Sequence, residues 1–249
     1  MKTTDERKRA ILESFKGGLI VSCQVQHDDP INSEDMPVKM AEAAKWGGAV
    51  GIRANSPEQI KAIKEKVDLP IIGLWKIWKD NTDVFITPTF EAAKAIWDAG
   101  AEIIAIDCTE QITSEGRPAY ELLPIIKEKI PEAIIFADVS NYKEAKRAVE
   151  MGADIVGPTL YGYTAETNHI ELPDLREFAR MCRDFGDKAY MIMEGHVYTP
   201  EDAMKTLFLG AHSVVVGSAI TRPHLITKRF VDLLSGYQEN WREAEKSKH

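Results

Sequence analysis

Short runs of apolar, largely β-branched residues alternate along the chain with longer amphipathic stretches. The runs cover residues 19–25, 49–53, 70–75, 103–108, 134–139, 155–160, 190–194 and 214–218, which makes eight strand candidates. The stretches between them carry helix-start signals: Ser56-Pro57-Glu58 and Thr199-Pro200-Glu201 each set a capping side chain before proline at the first helical position. Regular alternation of strand and helix predicts parallel strands, because each crossover must return the chain to the same end of the sheet.

A repeat sharpens that expectation. Gly48-Ala49, Gly100-Ala101, Gly152-Ala153 and Gly210-Ala211 recur at near-equal intervals, each ending a helix and leading into an even-numbered strand. Glycine is a common stop just past a helix, so one instance means little, but four in near-register favour a closed barrel over an open doubly wound sheet. The open sheet would carry a Gly-x-Gly-x-x-Gly turn after its first strand. Here that turn reads Cys23-Gln24-Val25-Gln26-His27-Asp28-Asp29, without glycine. The expected fold is a single-domain (β/α)8 TIM barrel over residues 1–249, with an extra N-terminal helix.

Composition restricts the setting. The 249 residues are 44% hydrophobic and 28% charged, ordinary for a globular chain, and the net charge of −8 comes without the basic stripe that a nucleic-acid groove needs. No nucleic-acid partner is expected. The three cysteines, Cys23, Cys108 and Cys182, are odd in number and widely spaced, which suggests neither a disulfide framework nor a zinc site. No apolar segment follows the charged N-terminus and no run is long enough to span a bilayer, so a cytoplasmic protein without membrane contact is expected. The charged stretch 243–249 reads as a frayed tail.

In such a barrel the chemistry lies at the C-terminal ends of the strands. The residues expected there are Gln24, Arg53, Lys76, Asp107, Asp138, Thr159, Glu194 and Ser218. Polar groups that end apolar strands are costly to bury unless they are paired or used. Lys76 follows a strongly apolar run, where desolvation lowers a lysine toward neutrality and makes it a proton acceptor or an amine nucleophile. Glu194 closes the seventh strand before Gly195 and forms an acid/base couple with Lys76; Asp138 orients the lysine or a sugar hydroxyl, or is simply a helix N-terminal acid. A phosphate site is expected at the seventh and eighth loops, with close approach at Gly195, Gly217 and Ser218, charge from Arg222 and a further amide from Gly162. The six histidines form no H-x-x-x-H pair, and His27-Asp28-Asp29 offers no third ligand, so no metal and no cofactor are expected. His196 is the histidine expected to reach the pocket, and Trp75 and Trp78 flank the lysine as packing or lid residues.

These residues sit within longer stretches: Gly18-Leu-Ile-Val-Ser-Cys-Gln24, Gly47-Gly-Ala-Val-Gly-Ile-Arg53, Leu69-Pro-Ile-Ile-Gly73, Asp83-Val-Phe-Ile-Thr-Pro-Thr89, Ala137-Asp-Val-Ser140, Gly162-Tyr-Thr164, Glu194-Gly195 and Ala219-Ile-Thr-Arg-Pro223. Through them, from about residue 16 to residue 234, the chain resembles the N-acetylmannosamine-6-phosphate 2-epimerase family of bacterial sialic-acid catabolism. The resemblance implies that Lys76 and Glu194 transfer protons, and that Gln24, Arg53 and Asp138 bind and orient the sugar with Arg222 beside it. It also implies that amides near Gly195, Gly217 and Ser218 hold the phosphate. The chain departs from the family at His196 for arginine, Tyr161 for serine and Ser218 for glycine, and in the loop from Asp107 to Arg117, which lacks a basic, proline-containing run.

The activity implied is cofactor-independent inversion at C2 of a small phosphorylated amino sugar, with Lys76 removing the proton from the open-chain form and Arg53 stabilising the developing oxyanion. Two rivals remain on the residues alone: a Schiff-base aldolase or synthase in which Lys76 attacks a carbonyl, and a catalytically inactive phosphosugar-binding protein. The apolar and aromatic segment 230–241 is expected to dock on its own barrel or on a second copy, as a homodimer.

Overall fold

The computed structural model describes residues 4–26, 28–168 and 174–246. The eight strands are β1 (Leu19–Ser22), β2 (Gly51–Asn55), β3 (Ile71–Leu74), β4 (Ile103–Asp107), β5 (Ile134–Asp138), β6 (Ile155–Gly157), β7 (Tyr190–Glu194) and β8 (Ser213–Val216). Each pairs in parallel with the next, and β8 closes on β1 with Leu19 opposite Val214. The helices are α1 (Thr4–Ser14), α2 (Met36–Trp46), α3 (Pro57–Lys64), α4 (Phe90–Asp98), α5 (Leu122–Lys129), α6 (Tyr142–Glu150), α7 (Leu175–Phe185), α8 (Pro200–Phe208), α9 (Ser218–Thr221) and α10 (Pro223–Lys246). The barrel with its extra N-terminal helix is the fold the sequence pattern predicts.

Local chemistry accounts for the boundaries. The hydroxyls of Ser56 and Thr199 accept from the N–H groups of Gln59 and Asp202, starting α3 and α8 at the expected prolines. Gly48, Gly100, Gly152 and Gly210 all take the left-handed backbone, with φ between 85 and 103°, and so turn each helix into an even-numbered strand. The first of these turns uses up residues 48–50, so β2 begins later than the apolar run and continues to Asn55. β6 stops at Gly157 because Pro158 has no N–H to give the ladder. At the other end of the chain, α10 continues to Lys246, into the charged stretch expected to be a tail.

Two apolar layers result from the alternation of side chains along each strand. One face meets the helices; the other fills the barrel with Ile20, Ile72, Ile103, Ile134, Phe136, Ile155, Ile192 and Val215, all buried. α1 plugs the lower mouth, where Phe15 is fully buried and the His212 ring nitrogen bonds the Leu12 carbonyl at 2.7 Å. Gly51 is needed there, since a Cβ would stand 2.7 Å from the Phe15 ring. Among the described residues no helix is long and apolar enough to cross a membrane.

Candidate active site

The side-chain positions that carry isoleucine and phenylalanine inside the barrel carry charge at its upper end. Two residues beyond Gly51, Phe136 and Ile192 on the same inward faces stand Arg53, Asp138 and Glu194. Arg53 and Glu194 open on a cavity of about 510 Å³ whose walls also include Ser22, Gln24, Lys76 and Arg222.

Arg53 organises this floor. Its guanidinium donates from Nη1 to Asp138 at 3.0 Å and to Glu194 Oε2 at 2.6 Å, and from Nη2 to Asp138 Oδ2 at 2.6 Å. The plane of the guanidinium rests over the Phe136 ring at 5.0 Å. That ring has room because position 157 is glycine: a Cβ there would meet Phe136 at 2.7 Å. Burying one cation between two carboxylates satisfies the desolvated charges and leaves the cluster one negative charge in excess. Burial pushes the Glu194 carboxyl up to about 7, against the opposing pull of Arg53. Its second oxygen, Oε1, is engaged by no described residue, which leaves it to the cavity.

Lys76 lies beyond β3, with the same inward parity as Ile72 and Leu74. Burial, and then the positive fields of Arg53 and Arg222, lower its ammonium to about 8. Its Nζ makes no hydrogen bond or ion pair to the described residues, so it is free to meet a ligand. Its backbone, in contrast, is tightly fixed. The Lys76 N–H donates to Asn55 Oδ1 at 2.8 Å, and Lys76 bridges Ile86 across a short antiparallel turn. Thr87 closes that turn by exchanging bonds with Trp75: its N–H donates to the Trp75 carbonyl at 2.9 Å and its hydroxyl accepts the Trp75 N–H at 3.1 Å. Thr87 is fully buried at φ 45°, a conformation that a β-branched residue holds only under strong constraint.

Other expected residues reach the same cavity. Gln24 donates to Ser22 Oγ at 2.9 Å, while its own Oε1 is buried with no partner, an acceptor awaiting a donor. Gly195, with φ 102°, and Gly217 and Ser218 at the start of α9 also line the cavity, where the first turn of α9 presents backbone N–H groups lacking intrahelical acceptors. Thr159 lines the cavity and donates to Asp138. His196 also lines it, as expected, with its ring nitrogen on the Tyr161 carbonyl at 3.0 Å.

Three expectations are corrected, those at Asp138, Gly162 and Asp107. Asp138 is fully buried behind Arg53 and absent from the cavity wall, so it holds the arginine and not the lysine. The Gly162 N–H is committed to Thr167 Oγ1 at 2.9 Å and lies off the wall, because the loop after β6 curls back on itself. Tyr161 turns away from the cavity, and it is Tyr163 that lines it. Asp107 folds onto its own loop, accepting from Thr109 N–H at 2.8 Å and Thr109 Oγ1 at 2.6 Å. Trp75 packs against the core, whereas Trp78 stacks on Phe85 at 4.0 Å at the mouth. Of the histidines weighed as ligands, His27, His169 and His249 lie outside the described residues, as does the His27 member of the His27-Asp28-Asp29 run.

Asn55 and Thr87 escaped the sequence reading. For Asn55 the signal was there: extending the second strand by two residues places it on the inward face directly above Arg53.

Comparison with known proteins finds relatives over most of the chain. Residues 37–236 match the family described as "NanE: Putative N-acetylmannosamine-6-phosphate epimerase". Proteins named "Putative N-acetylmannosamine-6-phosphate 2-epimerase" from Caldanaerobacter subterraneus and Listeria welshimeri are 44% and 43% identical over 224 residues, covering 90% of this chain and 94% of each relative. The solved structure of the N-acetylmannosamine-6-phosphate 2-epimerase from Clostridium perfringens is similar with a TM-score of 0.84 at 39% identity, covering 90% of this chain and 96% of that one. Thiamine phosphate pyrophosphorylase from Pyrococcus furiosus, at TM-score 0.56 and 18% identity, shares the fold alone.

Proposed function

Because the chain belongs to the N-acetylmannosamine-6-phosphate epimerase family, we propose that Lys76 and Glu194 carry its reaction as a proton-transfer pair. The enzyme is an isomerase, a carbohydrate-phosphate 2-epimerase that interconverts N-acetylmannosamine 6-phosphate and N-acetylglucosamine 6-phosphate. The observation that carries the reading of its site is the pair itself: a lysine lowered to about 8 and a glutamate raised to about 7 open into one cavity, with Arg53 holding the glutamate. Both groups then change protonation state near neutral pH, where general acid–base transfer is most effective.

In the open-chain sugar, neutral Lys76 removes the C2 proton, and the electron pair moves onto the C1 carbonyl oxygen. The fixed positive charge of Arg53 favours that developing enolate. Protonated Glu194 returns a proton to the opposite face of C2, and the negative charge collapses back to the carbonyl. Gln24 Oε1 is suited to accept from the acetamido N–H or a sugar hydroxyl. The phosphate is held by amides at Gly195, Gly217 and Ser218, with Arg222 alongside.

The test is proton NMR of N-acetylmannosamine 6-phosphate in deuterated water with the enzyme. Loss of the C2 proton signal and growth of the gluco epimer are expected. If neither occurred, the epimerase reading would be dead. A borohydride-stable adduct on Lys76 would instead move the assignment to Schiff-base chemistry, and sugar binding without C2 exchange to an inactive binder.

The proposal extends to assembly and setting. On α10, Phe230, Leu233, Leu234 and Tyr237 are 61 to 78% exposed, an apolar stripe that a second copy of the chain would cover in a homodimer. Sedimentation should give twice the mass of one chain, and Leu234→Glu should return the monomer. A cytoplasmic setting fits Cys23, Cys108 and Cys182, which are free thiols.

A further inference from the structure

One carboxylate near the cavity serves neither the proton pair nor the Arg53 cluster. Asp29, in the loop after β1, has a side chain only 7% exposed. Its Oδ2 accepts the Gln26 N–H at 2.8 Å and an Nη2 donor of Arg222 at 3.2 Å, and its Oδ1 meets His224 Nε2 at 3.1 Å. Gln26 and Arg222 both line the cavity, and His224 belongs to the first turn of α10. The loop after β1 and the junction of α9 with α10, almost 200 residues apart in sequence, therefore converge on one acid. Among the described residues Asp29 is the one acidic partner of Arg222, whose side chain is 18% exposed and whose remaining guanidinium donors are not taken up by protein.

A guanidinium on a long flexible side chain loses much of its binding value when it must be ordered at the moment of binding. A nearly buried carboxylate that engages one edge of the fork removes that cost and leaves the other edge exposed to the ligand. We propose that Asp29 is a positioning residue of the site: it holds Arg222 against the cavity wall near Gly217 and Ser218, so that the free edge of the guanidinium meets the substrate phosphate. The inference rests on Arg222 acting as a substrate residue, as set out above. Asp29 itself contacts no reacting atom.

The experiment is steady-state epimerisation of N-acetylmannosamine 6-phosphate by Asp29→Asn, Asp29→Glu, Arg222→Ala and the Asp29→Asn/Arg222→Ala double variant. Asp29→Asn is expected to raise KM about tenfold with kcat within about twofold, the signature of lost ground-state binding. Inorganic phosphate should weaken in parallel as a competitive inhibitor. Asp29→Glu, which keeps the charge, should recover part of the loss and serves as the reporter if the asparagine variant does not fold. The double variant should be no worse than Arg222→Ala alone, because the acid acts through the arginine. Multiplicative losses in the double variant, or a fall in kcat at unchanged KM, would overturn the role of Asp29 while leaving that of Arg222 intact. An Arg222→Ala variant with unchanged KM would show that the reading of Arg222 had failed, and the role of Asp29 would fall with it.

Discussion

β4 and β7 each end in an inward-facing carboxylate, Asp107 on one and Glu194 on the other. Both are nearly buried, and burial pushes both up to about 7. Their surroundings then diverge. Glu194 has one oxygen held by Arg53 and the other open to the cavity, whose wall the chain continues through the left-handed Gly195. Asp107 is one methylene shorter and is capped by its own loop, with Thr109 taking Oδ1 while Oδ2 is buried without a partner. A carboxylate at a strand end is thus made into chemistry by two further conditions: an opposite charge that fixes one oxygen, and an unobstructed path from the other to the ligand.

The strongest way to break this contrast is to remove the pair that meets both conditions. Lys76→Ala and Glu194→Gln should each lower kcat/KM by about 10³-fold or more, while sugar binding measured by calorimetry persists. The pH profile of the wild type sharpens the same point. Below about 7 both groups are protonated and no base is present; above about 8 both are deprotonated and no acid is present. The reactive pair shares one proton, so kcat/KM should be bell-shaped with its maximum between those values, whichever residue carries the proton in the reacting state. A profile flat from pH 6 to pH 9, checked by initial rates, would separate the pair from the reaction.

A smaller loss tests the clamp. Arg53→Lys keeps the charge but gives up the planar fork that reaches Asp138 and Glu194 together. A fall in kcat/KM of about 10- to 100-fold is expected, with circular dichroism unchanged. If the lysine variant kept full activity, charge alone would be sufficient and the fixed orientation of Glu194 would be irrelevant.

The fold was legible because its signals are local and repeated: strand runs, proline-primed caps and four glycines at equivalent turns. Lys76, Arg53 and Glu194 were legible for a related reason, since charge at the end of an apolar strand has few inexpensive explanations. The loops defeated that logic. Nothing in the order of residues indicates that the Gly162 amide is taken by Thr167, that Tyr161 turns outward while Tyr163 turns in, or that Asp29 joins Arg222 across almost the whole chain. Asp138 shows the limit most clearly, because the same strand-end rule that found it could not distinguish a ligand contact from a partner for Arg53.

The smallest effect on catalysis should come from Asp107→Asn, and it tests the other side of the contrast. Asp107 titrates at about 7 in the folded chain, above its ordinary value of 3.8, because the charged form is desolvated and its Oδ2 finds no donor. A raised acid favours the folded state fully below its unfolded value, and that contribution is lost as pH rises toward about 7. The wild type therefore carries an unfavourable buried charge at pH 8 that it largely lacks at pH 5. Asparagine keeps the acceptor for Thr109 without that charge. Its melting temperature should exceed that of the wild type by about 2–6 °C at pH 8, and by less at pH 5, while kcat/KM stays within about twofold. Scanning calorimetry at the two pH values, with rates on the same samples, decides between the alternatives. A tenfold loss of kcat/KM would mean that the β4 carboxylate belongs to the reacting machinery after all, and that closure by its own loop does not keep it from the substrate.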